Sequence, residues 1–195
     1  MTLLQHPFLI EVVDMNAVDP IKDKGTIQDI VQYLQAQSER DAMLFLFGIY
    51  SGLRISDMLP LRVRDVRNKE GITVKEKKTG KGKRFPFNNA LKRELVKYIE
   101  GKKDYEYLFK SRNGCNRHIS RQQAYNILRN VGNKFDLELI GTHTMRKTFG
   151  YHLYQQTHDI VLVQKLLNHA SPEITLAYIG MTQERMDQAV KNLRY

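Results

Sequence analysis

The sequence predicts a mainly helical α+β fold, one domain of helices interrupted by a small three-stranded antiparallel sheet. Apolar residues recur at helical spacing in the first fifty and last hundred positions, and between Val63 and Phe87 short β-branched and aromatic segments replace that pattern. A chain of 195 residues suits one domain with a substantial core and is short for two.

Pro20 to Gly25 is a short polar lead-in. Thr26 then reads as the N-cap of a helix with Ile27, Ile30, Val31 and Leu34 on one face. The segment from Asp41 to Tyr50 contains AMLFLFGIY, apolar all round, as expected of a buried central helix. Ser51 and Gly52 interrupt it, and a further turn runs from Arg54 to Leu59 before Pro60. RVRDV, GITVKE and KRFPF read as three strands, separated by NKEG and KKTGKG, with a basic turn at Thr79 to Lys83. Beyond Asn88, Leu91, Leu95, Val96 and Ile99 share a helical face, and Ser120 caps a helix carrying Ala124, Ile127, Leu128 and Val131. From Thr142, read as a cap, short helices continue to the closing MTQERMDQAVKNLRY. No internal repeat or low-complexity tract marks a domain boundary.

Hydrophobic residues at 42% and charged residues at 27% exclude a disordered or fibrous chain. The single cysteine, Cys115, cannot form an internal disulfide, and no paired His or Cys spacing suggests zinc. Glu11 and Asp14 lie within the first stretch, which lacks the basic start and long apolar run of a signal peptide. The longest apolar run, Ala42 to Tyr50, is about half a bilayer span, so a cytoplasmic protein with no membrane contact is expected.

The net charge is +10, and it is regional. From Arg62 to Arg117 eighteen Lys and Arg face seven Asp and Glu, a balance of +11 that leaves −1 for the rest. Such a face attracts a polyanion through phosphate neutralisation and counterion release, making nucleic acid the leading partner class. Charge alone fits a solvated, lysine-rich surface equally well.

Four local patterns decide between them. In SGLRISDMLPLRVRDV, Arg54 and Asp57 lie three apart, on one side of a helical turn. KEKKTGKGKRFPF places Lys78 at a strand turn, where an exposed turn lysine is the ordinary reading. In GTHTMRKTFGYHLY, His143 and Arg146 again lie three apart, presenting imidazole and guanidinium side by side. In LLNHASPEITLAYIG, Ser171 and Pro172 form a cap and first helical residue, His169 precedes them, and Tyr178 falls about two turns into the helix. Singly, each is weak, and Tyr178 is one of ten tyrosines whose default role is packing.

Together, in this order, they resemble the active-site signature of the tyrosine recombinase family, from about Lys24 to the C-terminus. The resemblance implies the helical catalytic fold of that family and a catalytic set of Arg54, Lys78, His143, Arg146, His169 and the nucleophile Tyr178, with Asp57 supporting the site. Lys81, three residues from Lys78 on the same turn, is the alternative lysine. Lys75, Lys77, Lys81, Lys83 and Arg84 are expected to contact the DNA backbone.

The chemistry shows why these residue types belong together. Cleaving a phosphodiester asks catalysis for on the order of 20 kcal/mol, whereas one well-aimed donor supplies roughly 3 to 4. Planar, permanently charged guanidinium groups at Arg54 and Arg146 suit the non-bridging phosphate oxygens. A phenol with a reference pKa of about 10 needs a proton acceptor, for which His143 is the candidate, with His169 as a further phosphate donor. The family resemblance assigns the lysine as general acid to the leaving 5′ hydroxyl, worth roughly two to four powers of ten. It implies a site-specific recombinase working through a 3′-phosphotyrosyl intermediate without metal, ATP or other cofactor.

Many members carry a further helical domain ahead of the catalytic one. Here the expectation is a single catalytic domain over 1–195, with an extension at 1–23, a tail at 179–195 and no separate core-binding domain. A naturally short member and a fragment remain open. Met186, Ala189, Val190 and Leu193 form an apolar stripe on the tail that needs a groove, either in the same molecule or, as the resemblance implies, on a neighbouring subunit in a tetramer on two DNA sites. Two alternatives stand beside recombination: type IB topoisomerase-like relaxation, and a DNA-binding regulator without activity.

Overall fold

The computed structural model describes residues 18–75, 82–181 and 190–194, apart from the side chains of Lys75 and Lys83. Helix α1, Lys24–Gln37, starts earlier than expected because Asp23, not Thr26, is its cap; Asp23 accepts from the Thr26 backbone N–H at 2.6 Å. Ile30 and Leu34 are buried, with Ile27 and Val31 partly so. Ser38 ends α1 and caps α2, Glu39–Ser51, whose Ala42 to Ile49 are all buried, as an all-apolar helix requires.

Helix α2 stops at Gly52, which is left-handed with φ 62°. A Cβ there would lie 2.3 Å from Phe149 Cδ1, so both backbone angle and space demand glycine. Arg54 then caps the single turn α3, Ile55–Met58.

The sheet corrects one expectation. Among the described residues it has two strands, β1 at Gly71–Lys75 and β2 at Gly82–Pro86, antiparallel with Ile72 opposite Phe85 and Thr73 opposite Arg84. The expected first strand, RVRDV, is instead a 3₁₀ turn at Val63–Asp65. The Asp65 carboxylate reaches back to the Arg62 N–H at 2.7 Å and closes the turn, while Val63 and Arg64 donate to Glu106 and Asp104. Only an isolated bridge between Arg62 and Tyr107 remains of strand pairing.

Helix α4, Asn89–Ile99, is capped by Asn88. It buries Leu91, Leu95, Tyr98 and Ile99, whereas Val96, expected on that face, is 68% exposed. Val96 follows Leu95 by one residue, a rotation of about 100° that turns it away, and Tyr98 fills the face instead. Helix α5, Arg121–Lys134, opens on a reciprocal Ser120–Gln123 capping box and buries Ala124, Leu128 and Val131. Helix α6, Thr142–Thr157, is capped by Gly141 rather than Thr142, with the Gly141 N–H donating to Thr144 Oγ1 at 3.1 Å. Helices α7, Ile160–Leu167, and α8, Pro172–Tyr178, take Asp159 and Ser171 as caps. Tyr178 is thus the last residue of α8 rather than an interior one.

Two apolar clusters hold these elements. The larger joins α1 to α5 and the sheet through side chains such as Ile30, Phe45, Phe47, Met58, Leu91, Phe109 and Leu128. The smaller gathers Val163, Leu167, Tyr178 and Ile179, with Phe149 and Leu153 against them. Each fully buried side chain of this size contributes about 1.5 to 3 kcal/mol. Helix α6 belongs to both, through Met145 to the first and Phe149 to the second, so its opening turns lie at their seam. No helix of the described residues is long and apolar enough to cross a membrane.

Candidate active site

The seam is where the polar residues converge. Arg146, in the second turn of α6, is 4% exposed, and its guanidinium donates to the carbonyls of Gly52 at the end of α2 and Leu167 at the end of α7. Those bonds satisfy two orphan helix-end carbonyls and fix the guanidinium plane. Arg146 also hydrogen-bonds the Tyr178 hydroxyl. Arg54 is half-buried at the cap of α3, close enough for its charge to act on the same phenol.

Tyr178 is 4% exposed. Burial pushes its pKa above the ordinary phenol value, and the charges of Arg146 and Arg54 and the Arg146 hydrogen bond pull it back. His143, exposed at the opening turn of α6, brings Nδ1 to 3.4 Å from the Tyr178 hydroxyl. With Arg146 donating to the phenol oxygen, the phenol proton can go to Nδ1 in the tautomer that leaves this nitrogen bare.

The His169 ring meets the Tyr178 ring edge to face at 4.8 Å between centroids. Its Nδ1 lies 3.1 Å from Thr175 Oγ1, and that hydroxyl donates to the Ser171 carbonyl. With its proton so committed, Thr175 accepts from Nδ1–H of His169.

Five of the six residues singled out by sequence, Arg54, His143, Arg146, His169 and Tyr178, therefore gather at one place. Lys78, its alternative Lys81 and the neighbouring Lys77 lie outside the described residues, as do the side chains of Lys75 and Lys83. Arg84 is exposed on β2. Asp57 follows Arg54 on α3, and its carboxylate receives a long 3.5 Å bond from Ser56. Among the described residues no cluster of three or more His, Cys, Asp or Glu side chains could hold a metal. A groove of about 560 Å³ between α1, β2 and α6, lined by Tyr50, Phe85, Phe149 and His152, contains none of the gathered residues. A backbone phosphate of a duplex needs an open face rather than an enclosed cavity.

Two residues touching the site were not singled out by sequence. Thr175 holds His169, and Lys147 places its Nζ 5.2 Å from the centroid of the Tyr178 ring. A threonine one turn before the tyrosine and a lysine beside the arginine were available as hints, but Lys147 is buried because α6 lies between two clusters and Thr175 because α8 packs on α7.

A mainly helical fold that closes two arginines, two histidines and a tyrosine around one point is that of a tyrosine recombinase catalytic domain. Residues 23–185 match the Phage integrase family, and the chain belongs to that family. It is 49% identical over 177 residues to the probable integrase/recombinase YoeC of Bacillus subtilis (strain 168), covering 91% of this chain and 97% of that protein. To tyrosine recombinase XerA of Pyrococcus furiosus it is 28% identical over 168 residues, 85% of this chain and 58% of that protein. The chain thus spans little more than half the length of the XerA relative. Among solved structures, that of XerA recombinase superposes with a TM-score of 0.71 at 19% identity, over 91% of this chain and 66% of the other. XerH bound to palindromic difH in a post-cleavage complex gives 0.68 at 21%, over 90% and 53%. At such identities these structures bear on fold alone.

Proposed function

We propose that this chain is the catalytic part of a site-specific DNA recombinase that cuts and rejoins strands through Tyr178. The observation that carries this reading is the convergence on one phenol: Arg146 bonds its oxygen, Arg54 acts on it by charge, and His143 stands 3.4 Å away to take its proton.

In the reaction, the Tyr178 oxygen attacks a backbone phosphorus as its proton passes to His143. The guanidinium groups of Arg54 and Arg146 hold the non-bridging oxygens, where negative charge accumulates, and Nε2–H of His169 joins them when that ring is the doubly protonated imidazolium. The bond to the 5′ oxygen breaks, and that oxygen takes a proton from the sheet-turn lysine, assigned to Lys78. The product is a 3′-phosphotyrosyl ester and a free 5′ hydroxyl. Because the ester retains the reactivity of the original bond, a second 5′ hydroxyl reverses the steps and reseals the strand without ATP. Duplex DNA is the partner; the regional positive charge, including exposed Arg84, supports this. Apolar contacts made by the tail residues Val190 and Leu193 would bring four copies together on two sites.

The test is covalent capture. The chain is incubated with a library of randomised duplexes carrying a central nick, so that the short leaving strand diffuses away after cleavage, and adducts are isolated under denaturing conditions. A DNA adduct formed by the native chain and lost in Tyr178→Phe is the expected result; no adduct from any duplex overturns the reading. Resealed products joining two different duplexes distinguish recombination from simple relaxation.

A further inference from the structure

Lys147 is charged, 4% exposed and absent from the mechanism above. Burying an ammonium costs several kcal/mol unless compensated, and a methionine of similar length would fill the same space without that cost. Its surroundings indicate what the charge does. Nζ donates to the Val18 carbonyl at 2.7 Å and stands 5.2 Å from the centroid of the Tyr178 ring, within cation–π range. The ring also packs against the His169 ring in a T-shaped pair, 4.8 Å between centroids.

Val18 belongs to a strap, described over residues 18–23, that lies along α6 before α1 starts. The Asp19 N–H donates to Leu139, the Ile21 N–H donates to Thr148 Oγ1 at 2.9 Å, and His152 Nε2 bonds the Ile21 carbonyl at 3.0 Å. Pro20 faces Gly180, two residues after the tyrosine, where an added Cβ would come within 3.8 Å of the proline ring. The strap therefore borders the chain that leaves the nucleophile, and Lys147 touches both the strap, at Val18, and the Tyr178 ring.

We propose that Lys147 is a positioning residue: its buried ammonium, anchored on the Val18 carbonyl, sets the place of the Tyr178 ring and couples the segment leading into α1 to the nucleophile. Burial lowers the ammonium's pKa while Asp19 raises it, consistent with a group enclosed by the strap. The inference deepens the recombinase reading in naming what aligns its nucleophile, but the alignment itself does not depend on DNA.

The test therefore has a readout in the free protein. The full chain is labelled with ¹³Cζ-tyrosine, and the Tyr178 resonance is assigned by its loss in Tyr178→Phe. In Lys147→Met that resonance is expected to shift or broaden, in Lys147→Arg to return toward the native position, and the Tyr98 resonance, in the other cluster, to stay unmoved in both. An unchanged Tyr178 signal in Lys147→Met overturns the proposal, and so does a change in which Tyr98 moves equally, since that is general loosening. Because misplacement by about 1 Å can cost on the order of 100-fold, adduct formation at saturating nicked duplex should slow 10- to 100-fold in Lys147→Met with DNA affinity unchanged. A displaced signal in a protein whose native form makes no adduct would leave the positioning role standing and remove the recombinase reading.

Discussion

His143 Nδ1 lies 3.4 Å from the Tyr178 hydroxyl, across 35 residues of sequence and two helices. The imidazole is on the exposed opening turn of α6 and the phenol is buried, so the proton has a path from an enclosed oxygen to an accessible base. His143→Ala is expected to slow single-turnover cleavage of captured nicked duplex by about 10²- to 10⁴-fold, the usual worth of a general base. Its melting temperature should match that of the native chain, because an exposed side chain is removed. A rate within a factor of about three of native would assign the proton elsewhere.

Thr175→Val replaces a hydroxyl with a methyl of the same shape. It removes the partner of His169 Nδ1 and leaves the ring free to turn. Loss of such an orienting contact costs about 10- to 100-fold where the ligand or donor depends on it. Cleavage should fall by that amount while the affinity for duplex, set mostly by phosphate contacts, stays constant. Equal losses in both would mean that Thr175 serves only to pack α8.

Gly52→Ala places a side chain where φ is 62° and a Cβ would sit 2.3 Å from Phe149. Left-handed strain and the forced shift of a packed ring together cost about 2 to 4 kcal/mol. The Gly52 carbonyl that accepts from Arg146 moves with the backbone, so activity should fall further than stability alone accounts for. Urea unfolding and cleavage rates, compared at a temperature where the variant remains folded, check both parts.

Tyr98 provides a pH-dependent prediction away from the site. Its hydroxyl donates to the Leu108 carbonyl at 2.6 Å, and burial raises its pKa well above 10.0. A group with a raised folded-state pKa keeps its proton longer in the folded chain, so its stabilisation is complete below the unfolded value and declines as pH climbs toward the folded one. Above about pH 10 the native chain should lose up to about 1.4 kcal/mol per pH unit from this residue. Tyr98→Phe lacks that loss while costing about 1 to 2 kcal/mol near neutrality for the unpaired carbonyl. The stability gap between the two proteins should therefore narrow between about pH 8.5 and about pH 11; a constant gap would contradict the assignment.

Val190 and Leu193 are 72% and 61% exposed among the described residues, and Met186 and Ala189 of the same expected stripe lie outside those residues. If a neighbouring subunit covers Val190 and Leu193 on DNA, removing residues 182–195 forfeits about 3 kcal/mol and weakens assembly roughly 100-fold. Sedimentation of the captured DNA complexes with and without the tail measures this. Melting of the free chain should be unaffected, and unchanged assembly would exclude the tail from the interface.

Helices with strong local signals were legible: Ser120 with Gln123 and Ser171 with Pro172 mark their starts correctly because capping is decided within a few residues. Where two signals competed, sequence chose wrongly. Asp23 outranks Thr26 one turn earlier, and the alternation in RVRDV imitates a strand until Asp65 folds back on Arg62. The gathered polar residues were legible because their order forms a pattern even though their distances do not. Lys147 and Thr175 were not, because nothing local to either residue announces that its side chain is buried.

The bonds of Arg146 to Gly52 and Leu167 have a consequence for how such a gene can decay. Losing the Tyr178 hydroxyl removes one acceptor from the Arg146 guanidinium, whereas truncating Arg146 strands two helix-end carbonyls inside the protein, at about 1 to 3 kcal/mol each. A copy that has fallen silent yet still folds should therefore have lost its tyrosine and kept its arginine. The guanidinium would be kept whether or not strands are cut, because the architecture leans on it.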